Sequence, residues 1–557
     1  MNEPHFQKRL GLFDATMLVA GSMIGSGIYI VSAGIAREVN GAGWLLLVWG
    51  ITGVMTVLGA LAYAELAAMM PHAGGQYVYL REAYSPLWGF LYGWTSFTVI
   101  QTGTIAAVGV AFAKFLGVLV PALGTGDKAL LWSGRGFQGI PLPVPGLEKP
   151  ILLFHIDTFR IHAGQFVGVA MVLFLTLWNT RGIQMGKILQ NLFTVTKIVS
   201  LAVIIGIAFF ATSHSEVWQG NFKDPWSAIS ATDGHKEVSA KLPRAEGLWA
   251  VMVVGGALVG ALFSADAWNN VTFTAGEVQR PQRNLPLSLV FGTGGVIALY
   301  LLANCGYLAS LNLRPASGDL ETALKISLRT TEKKERDKLA DPQTSAAKAS
   351  EARENLRQLE IAEAATIEER GLAYARDDRV ATALVDRVAP DMGSAIMAIA
   401  IMISTFGCAN GLILMGARLT YAMARDGLFF GAVGHLNKHS VPAAGLWFQA
   451  IWASLLAFSG TYNDLLDYVI FAALLFYVLT ATGLFVLRFR KPNAERPYRA
   501  WGYPVLPAIY VLLCLAVMVD LLIVKPVYTW PGLILVLLGV PVYLLWRIFR
   551  PKLDPTT

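Results

Sequence analysis

Charge is scarce in this chain of 557 residues: Asp, Glu, Lys and Arg make up 15% of it, against the ~25% of an ordinary soluble domain. Hydrophobic residues supply 55% and the mean hydropathy is +0.52. Many apolar runs are too long for a water-soluble fold, and the chain reads as a polytopic membrane protein. Cysteine is scarcer still. Cys305, Cys408 and Cys514 all fall inside apolar runs, which excludes an extracellular disulfide framework and any metal-ligand spacing. There is no HExxH, no GxSxG and no phosphate-binding loop, and the eight histidines are scattered through loops, tails and span edges. The expectation is therefore no metal, no cofactor and no enzymatic chemistry. The net charge of +7 is no nucleic-acid signal, because the cations sit mainly between apolar runs on one side. A cleavable signal peptide is not expected either: the first apolar run is too long and has no small-residue cleavage site at its end.

What the chain has in quantity is membrane spans. Twelve are predicted, near residues 12–36, 42–70, 86–120, 163–180, 188–212, 249–276, 287–310, 392–424, 442–460, 463–488, 503–524 and 531–550. Alternate connections are basic: Lys8 and Arg9, Arg181 and Lys187, Arg280 and Arg283, Arg425 and Lys438, then Arg488, Arg490 and Lys491. Positive-inside bias places both termini in the cytoplasm of a cell membrane. Of the outer segments, 121–162 is Pro/Gly-rich and expected to be irregular. Residues 311–391 are rich in Ala, Glu, Lys and Arg, with a solvated helix expected at Asp341–Ala364. From Asp378 to Ala383 the sequence looks like core again.

Within the first span lies Gly21–Ser22–Met23–Ile24–Gly25–Ser26–Gly27. Three glycines in seven residues make a poor helix, at roughly 1 kcal/mol each relative to Ala. A broken helix in lipid strands backbone groups that something must satisfy, and a transported solute is the working hypothesis. The alternative is glycine used for close helix packing. The sixth span carries a second interruption: Phe263–Ser264–Ala265–Asp266–Ala267–Trp268–Asn269–Asn270 puts a carboxylate and two amides inside an apolar run. A carboxylate at bilayer depth costs at least about 2.5–3.5 kcal/mol and marks function by default. Interruptions five spans apart suit inverted five-helix repeats with a midplane site. The expected organisation is a first repeat over 12–212, a second over 249–488 with the charged insertion at 311–391, and two further helices over 503–550.

Such a site suits a zwitterion. Where the first helix restarts, N–H groups of Ser26 and Gly27 face the gap and favour a carboxylate. Where the helices stop, the carbonyls of Met23 and Phe263 favour an ammonium.

These residues carry a family likeness. Gly21–Tyr29 (GSMIGSGIY) resembles the first-helix signature of the amino acid–polyamine–organocation superfamily. Phe263–Asn270, with Gly276–Glu277 and Pro281–Pro286 (PQRNLP), resembles the sixth-helix signature of its L-type amino acid transporter branch, bacterial permeases included. Ala62–Leu66 (AYAEL), Gly416–Arg418 and Tyr421–Asp426 (YAMARD) add matches, and the likeness spans nearly all the chain except roughly 313–375. It implies the leucine-transporter fold, two inverted five-helix repeats plus two C-terminal helices, working by alternating access. Ser26 and Gly27 would bind the α-carboxylate; Met23, Phe263 and Asp266 would meet the amino group, with Phe263 as gate. Ile100 and Thr104 would face the side-chain pocket. Gly25, Ala265 and Trp268 fall within the two signatures and complete the expected substrate-binding set.

The fifth span holds Lys197, a lone lysine among apolar residues that needs a partner. Its position matches the lysine of sodium-independent family members, whose ammonium resembles a substitute for sodium between spans one and eight. Ser404 and Thr405 are the span-eight oxygens in question. The alternative is a lysine snorkelling to the cytoplasmic surface. Asp266 has three open roles: ligand for the substrate ammonium, carrier of a coupling proton, or support for broken backbone. Glu65 and Glu277 are helix-end contacts or inner-gate latches. The function expected is a sodium-independent amino acid carrier, exchanger or proton-coupled, neutral substrates favoured. A cationic amino acid or polyamine carrier and a non-transporting amino acid sensor are the alternatives. Animal relatives join a single-span partner through a disulfide between spans three and four. Residues 121–162 here contain no cysteine, so that disulfide link is not expected; the expected partners are the substrate and the bilayer, with a non-covalent partner or second copy left open.

Overall fold

The computed structural model describes residues 5–549 except 138, 143–150, 154–157, 228–245, 341–344, 391, 460–461 and 525. In chain order its helices are α1 (Leu12–Met23), α2 (Gly27–Val39), α3 (Ala42–Met69), α4 (Gln76–Ala83), α5 (Pro86–Thr95), α6 (Gln101–Leu119), α7 (Ala163–Asn179), α8 (Ile183–Gly206), α9 (Ser215–Asn221) and α10 (Glu246–Ser264). They continue as α11 (Pro281–Ser310), α12 (Gly318–Arg329), α13 (Glu332–Ala340), α14 (Ala346–Ala364), α15 (Ile367–Arg370), α16 (Val380–Asp386), α17 (Gly393–Arg425), α18 (Ala443–Ser459), α19 (Tyr462–Arg490), α20 (Val505–Val524) and α21 (Pro526–Phe549). A π-helical turn, Ser96–Ile100, joins α5 to α6 in one span. Among the described residues nine helical stretches are long and apolar enough to cross a bilayer, and the bent pair α1–α2 makes a tenth. Two shorter apolar helices, α7 and α18, stand where spans four and nine are expected.

Helix α8 shows how such a span is read. Ile183, Gly186, Gln190, Thr194, Lys197, Leu201 and Ile204 recur every three or four residues and are buried. Ile188, Leu192, Val195, Val199 and Val203 occupy the opposite side and are exposed. Apolar residues facing outward along a membrane-length helix make a lipid face, and the polar residues point into the bundle.

One expectation needs correction. The segment 121–162 is not wholly irregular: β1 (Leu130–Arg135) pairs antiparallel with β4 (Thr158–His162), and β2 (Ile140–Leu142) with β3 (Ile151–Leu153). Aromatic and β-branched residues sit at the ends of this Pro/Gly stretch, and Trp132 packs edge-on against Phe159 with ring centroids 6.0 Å apart. The connection between spans two and three contains α4, whose Gln76, Tyr77, Tyr79 and Leu80 are buried. The charged insertion is helical, and α14 falls within the solvated helix expected at Asp341–Ala364, with α12 and α13 packed on it; residues 341–344 of that helix lie outside the described residues. At its end Val380, Ala381 and Leu384 of α16 are fully buried, against α2 and α17. Arg37 of α2 holds this end through Asp378, at 2.5 and 3.0 Å, and the Ala373 carbonyl, at 2.7 Å.

Candidate functional site

Helix α1 stops at Met23, α2 starts at Gly27, and their axes bend by 41°. A helix end leaves carbonyls without intrahelical donors, and in a buried site each needs a partner. Side chains from three other helices supply them. Lys197 Nζ donates to Gly21 O at 2.5 Å, to Ile24 O at 2.7 Å and to Ser404 O at 3.2 Å. The Cys408 thiol donates to Ser22 O at 3.1 Å. The Tyr300 hydroxyl lies 3.1 Å from Met23 O. Ser404 Oγ reaches Ile24 O at 3.1 Å and Gly25 O at 3.0 Å. Lys197 is wholly buried, so it does not snorkel: all its donors are turned inward on α1 and α17. Thr405 does not join it. Its hydroxyl turns back to Ile401 O and Met402 O of its own helix. The break is thus held by protein groups, and a solute is not needed to satisfy its carbonyls, though each carbonyl oxygen has a second lone pair.

The glycines serve packing as well. A Cβ on Gly21 would come within 2.1 Å of Gln190 Nε2 and 2.2 Å of Thr194 Oγ1. One on Gly27 would lie 2.1 Å from Ser264 Oγ, so the start of α2 presses on the end of α10. Ser26 is buried beside it.

The second break is shorter than the sequence suggests. Helix α10 continues through Phe263 and Ser264; only Ala265, Asp266 and Ala267 are non-helical before a 3-10 segment, Trp268–Glu277. Ala267 has φ +66°, the left-handed region in which a Cβ is strained. That turn re-aims the chain at the point where the carboxylate enters. Tyr477 of α19 donates to Asp266 Oδ1 at 2.5 Å. Next to it, Asn269 Nδ2 donates to Gln76 Oε1 at 2.8 Å, and Asn270 Nδ2 to Gln101 Oε1 at 3.3 Å.

A cavity with an empty volume of about 350 Å³ opens beside this second break. Ile100, Thr104 and Asp266 line it, with Gln101, Asn269 and Tyr477. Ala265 and Trp268 line a second, more apolar cavity of about 340 Å³ behind the broken segment, with Asp266 and Tyr477 as shared wall. The indole of Trp268 packs edge-on against Tyr63, ring centroids 4.8 Å apart. The expected site residues therefore fall into three groups: Met23, Gly25, Ser26 and Gly27 at the first break with Lys197 and Ser404; Ile100, Thr104 and Asp266 at the polar cavity; Ala265 and Trp268 behind it. Phe263 is half-buried at the end of α10.

The far ends of the two broken spans are tied together. Arg9 N donates to Glu277 O at 2.9 Å, and Gln279 N to Leu10 O at 2.8 Å. Glu277 forms a fully buried bidentate pair with Arg418, at 2.9 and 3.0 Å. Glu65 pairs with Arg488 at 2.6 and 2.9 Å. Both acids sit at helix ends with arginine partners.

Sequence reasoning missed Tyr300, Tyr477, Gln76 and Gln101, and gave Cys408 no role. Tyr300, Tyr477, Gln101 and Cys408 lie in apolar runs and Gln76 in the connection after span two; no local pattern in the sequence names their partners.

A family model described as amino acid permease matches residues 10–543. The b(0,+)-type amino acid transporter 1 of Mus musculus is 26% identical over 548 residues, covering 98% of this chain and 89% of the relative. Large neutral amino acids transporter small subunit 2 of Homo sapiens is 26% identical over 548 residues, with 98% and 82% covered. Asc-type amino acid transporter 1 of Mus musculus is 24% identical over 553 residues, again with 98% and 82% covered. The likeness drawn from the helix signatures is borne out, and with it the all-α, leucine-transporter type of fold: the chain belongs to the amino acid permease family.

Proposed function

We propose that the protein is a secondary carrier that moves amino acids across a cell membrane by alternating access, without sodium. The observation that carries this reading is the first break: a buried lysine holds three carbonyls across α1 and α17, in the place where a bound cation would do the same work. Relatives whose names are those of amino acid transporters support the transported class. Ser26 and Gly27 would take the substrate carboxylate at the start of α2, and Met23 and Phe263 the ammonium. Phe263 would act as gate, and Ile100 and Thr104 would meet the side chain. Neutral amino acids are the favoured substrates. A cationic amino acid or polyamine is the second reading, favoured by one observation: Asp266 is the charged residue lining the polar cavity.

Two five-helix repeats over 12–212 and 249–488, with helices eleven and twelve beyond them, is the organisation in which the breaks pair. Both termini are assigned to the cytoplasm on the positive connections. One relative is by its name a small subunit; a disulfide-linked partner is not proposed for this chain, whose three cysteines lie in apolar helices. The test is uptake of a labelled amino acid into proteoliposomes, challenged by a panel of unlabelled amino acids, with and without internal substrate. Saturable, competable uptake supports the carrier and ranks its substrates; stimulation by internal substrate identifies exchange. Saturable binding without flux would mean a sensor.

A further inference from the structure

The chain before α1 is fastened to the connection that leads into α11. Leu10 and Val278 form an isolated parallel bridge, and Gln279 Nε2 donates to Lys8 O at 3.3 Å. Lys187 Nζ donates to Arg9 O at 3.0 Å, and Phe6 packs edge-on against Tyr421, ring centroids 4.9 Å apart. Backbone on both sides of the bridge is therefore fixed. It presents Lys8 and Arg9 from the tail, and Arg280 and Arg283 from the other side, all four exposed. Among the described residues no acid pairs with any of them. The acids beside them are already engaged: Asp14 by Lys187 at 3.0 Å and Asn191 at 2.7 Å, Glu277 by Arg418. Other cations on this side of the membrane do meet acids, Arg81 with Asp426, Arg488 with Glu65 and Lys491 with Glu82. Four like charges around one bridge repel one another, and an anion placed among them relieves that repulsion.

The place of the cluster points to the kind of anion. Helix α11 has its exposed residues on one face: Arg283, then Phe291, Ala298 and Leu302, with Leu287 half-buried between the first two. Phe291 and Leu302 are 56% and 48% exposed, as side chains against lipid are. Arg283 caps this apolar face at the end assigned to the cytoplasm, the level at which arginine and lysine meet headgroups. Helix α1 packs on α11 and adds Phe13, 59% exposed, four residues beyond Arg9. A soluble anion uses the cations alone; an anion that carries acyl chains uses the cations and the apolar face beneath them. We propose that Lys8, Arg9, Arg280 and Arg283 hold the phosphate headgroup of one anionic phospholipid, with its chains along the outward face of α11. Arginine suits this role because its planar fork meets two phosphate oxygens at once. The lipid would join the segment before the first broken span to the connection after the second. The inference goes beyond the carrier reading and does not depend on it, since a sensor would bind the same lipid.

Native mass spectrometry of the purified full-length protein, titrated with dioleoylphosphatidylglycerol or dioleoylphosphatidylcholine, tests it. The anionic lipid is expected to bind about tenfold or more tightly than the zwitterionic one, since each lysine or arginine at an anionic headgroup is worth about fivefold. Arg280→Gln with Arg283→Gln should weaken phosphatidylglycerol by about twentyfold and leave phosphatidylcholine unchanged. Lys8→Gln with Arg9→Gln, on the other side of the bridge, should lose a similar factor, so the result does not hang on how one variant folds. Lys438→Gln with Arg499→Gln removes the same charge from exposed positions elsewhere and should leave the affinity as it is. Soluble glycerol 1-phosphate at the same concentration should not displace the lipid. Equal binding of the two lipids, full phosphatidylglycerol affinity in either cluster variant, an equal loss in the Lys438 and Arg499 control, or displacement by glycerol 1-phosphate would overturn the inference.

Discussion

A buried ammonium is expensive unless its donors are taken up, and Lys197 has three oxygens within 3.2 Å and no contact with solvent. Lys197→Met keeps the length of the side chain and removes every donor. Gly21 O loses its side-chain donor, while Ile24 O keeps the weaker bond from Ser404 Oγ. At about 1–3 kcal/mol for an unsatisfied buried acceptor, transport per inserted molecule should drop at least about tenfold. Uptake normalised to the amount of protein in the membrane checks this; an undiminished rate would mean that Lys197 merely fills space. Asp266 separates its roles differently. If its carboxylate meets the substrate or carries a proton, Asp266→Asn should lower uptake and flatten its dependence on pH. If it only receives the Tyr477 hydroxyl at 2.5 Å, an amide oxygen does nearly as well, and uptake measured across pH should keep both its rate and its profile.

The broken helices show how far an element can be read from its letters. Three glycines in seven residues and an aspartate in an apolar run marked both breaks, because each is locally unfavourable in a membrane helix. The extent of the breaks was not legible. Phe263 and Ser264 remain helical, and the turn falls on Ala267, whose positive φ no composition rule would assign to alanine. Nor were the partners legible: Tyr300, Cys408 and Tyr477 reach the breaks from helices distant in sequence, and distance in sequence carries no register. Lys197 was legible since charge within an apolar span always asks for a partner. The Thr405 hydroxyl turns back on its own helix, as a threonine in a helix readily does. Packing at the breaks yields a direct prediction. Gly27→Ala would press its methyl on Ser264 Oγ, 2.1 Å away, and on the Ser264 Cβ, 2.7 Å away. Thermal unfolding of the purified protein should shift down by several degrees, and combining it with Ser264→Ala should recover part of that loss. Equal stability of the single variant and wild type would contradict the contact.

On the scale of the whole molecule, the appendage between α11 and α17 is joined to the bundle at both ends, through Leu313 and Arg314 at its start and Asp378 at its finish. Helices α12 to α14 carry charge pairs on their exposed sides, such as Glu321 with Lys325 and Glu332 with Arg336, which contribute little individually. Asp378 and α16 instead hold α2, the half-helix that begins at the first break. The polypeptide around the site is thus braced at three places: Lys197 and Ser404 across α1 and α17, Glu277 with Arg418 at the far ends, and Arg37 with Asp378 at the other end of α2. The first of these is the brace proposed above to do the work of a bound cation, and that proposal bears on the energy source. Uptake of a labelled neutral amino acid by proteoliposomes, with external sodium replaced by choline, tests that statement directly. The lysine-held break predicts saturable uptake of the same rate and KM in both media; collapse of uptake in choline would contradict it.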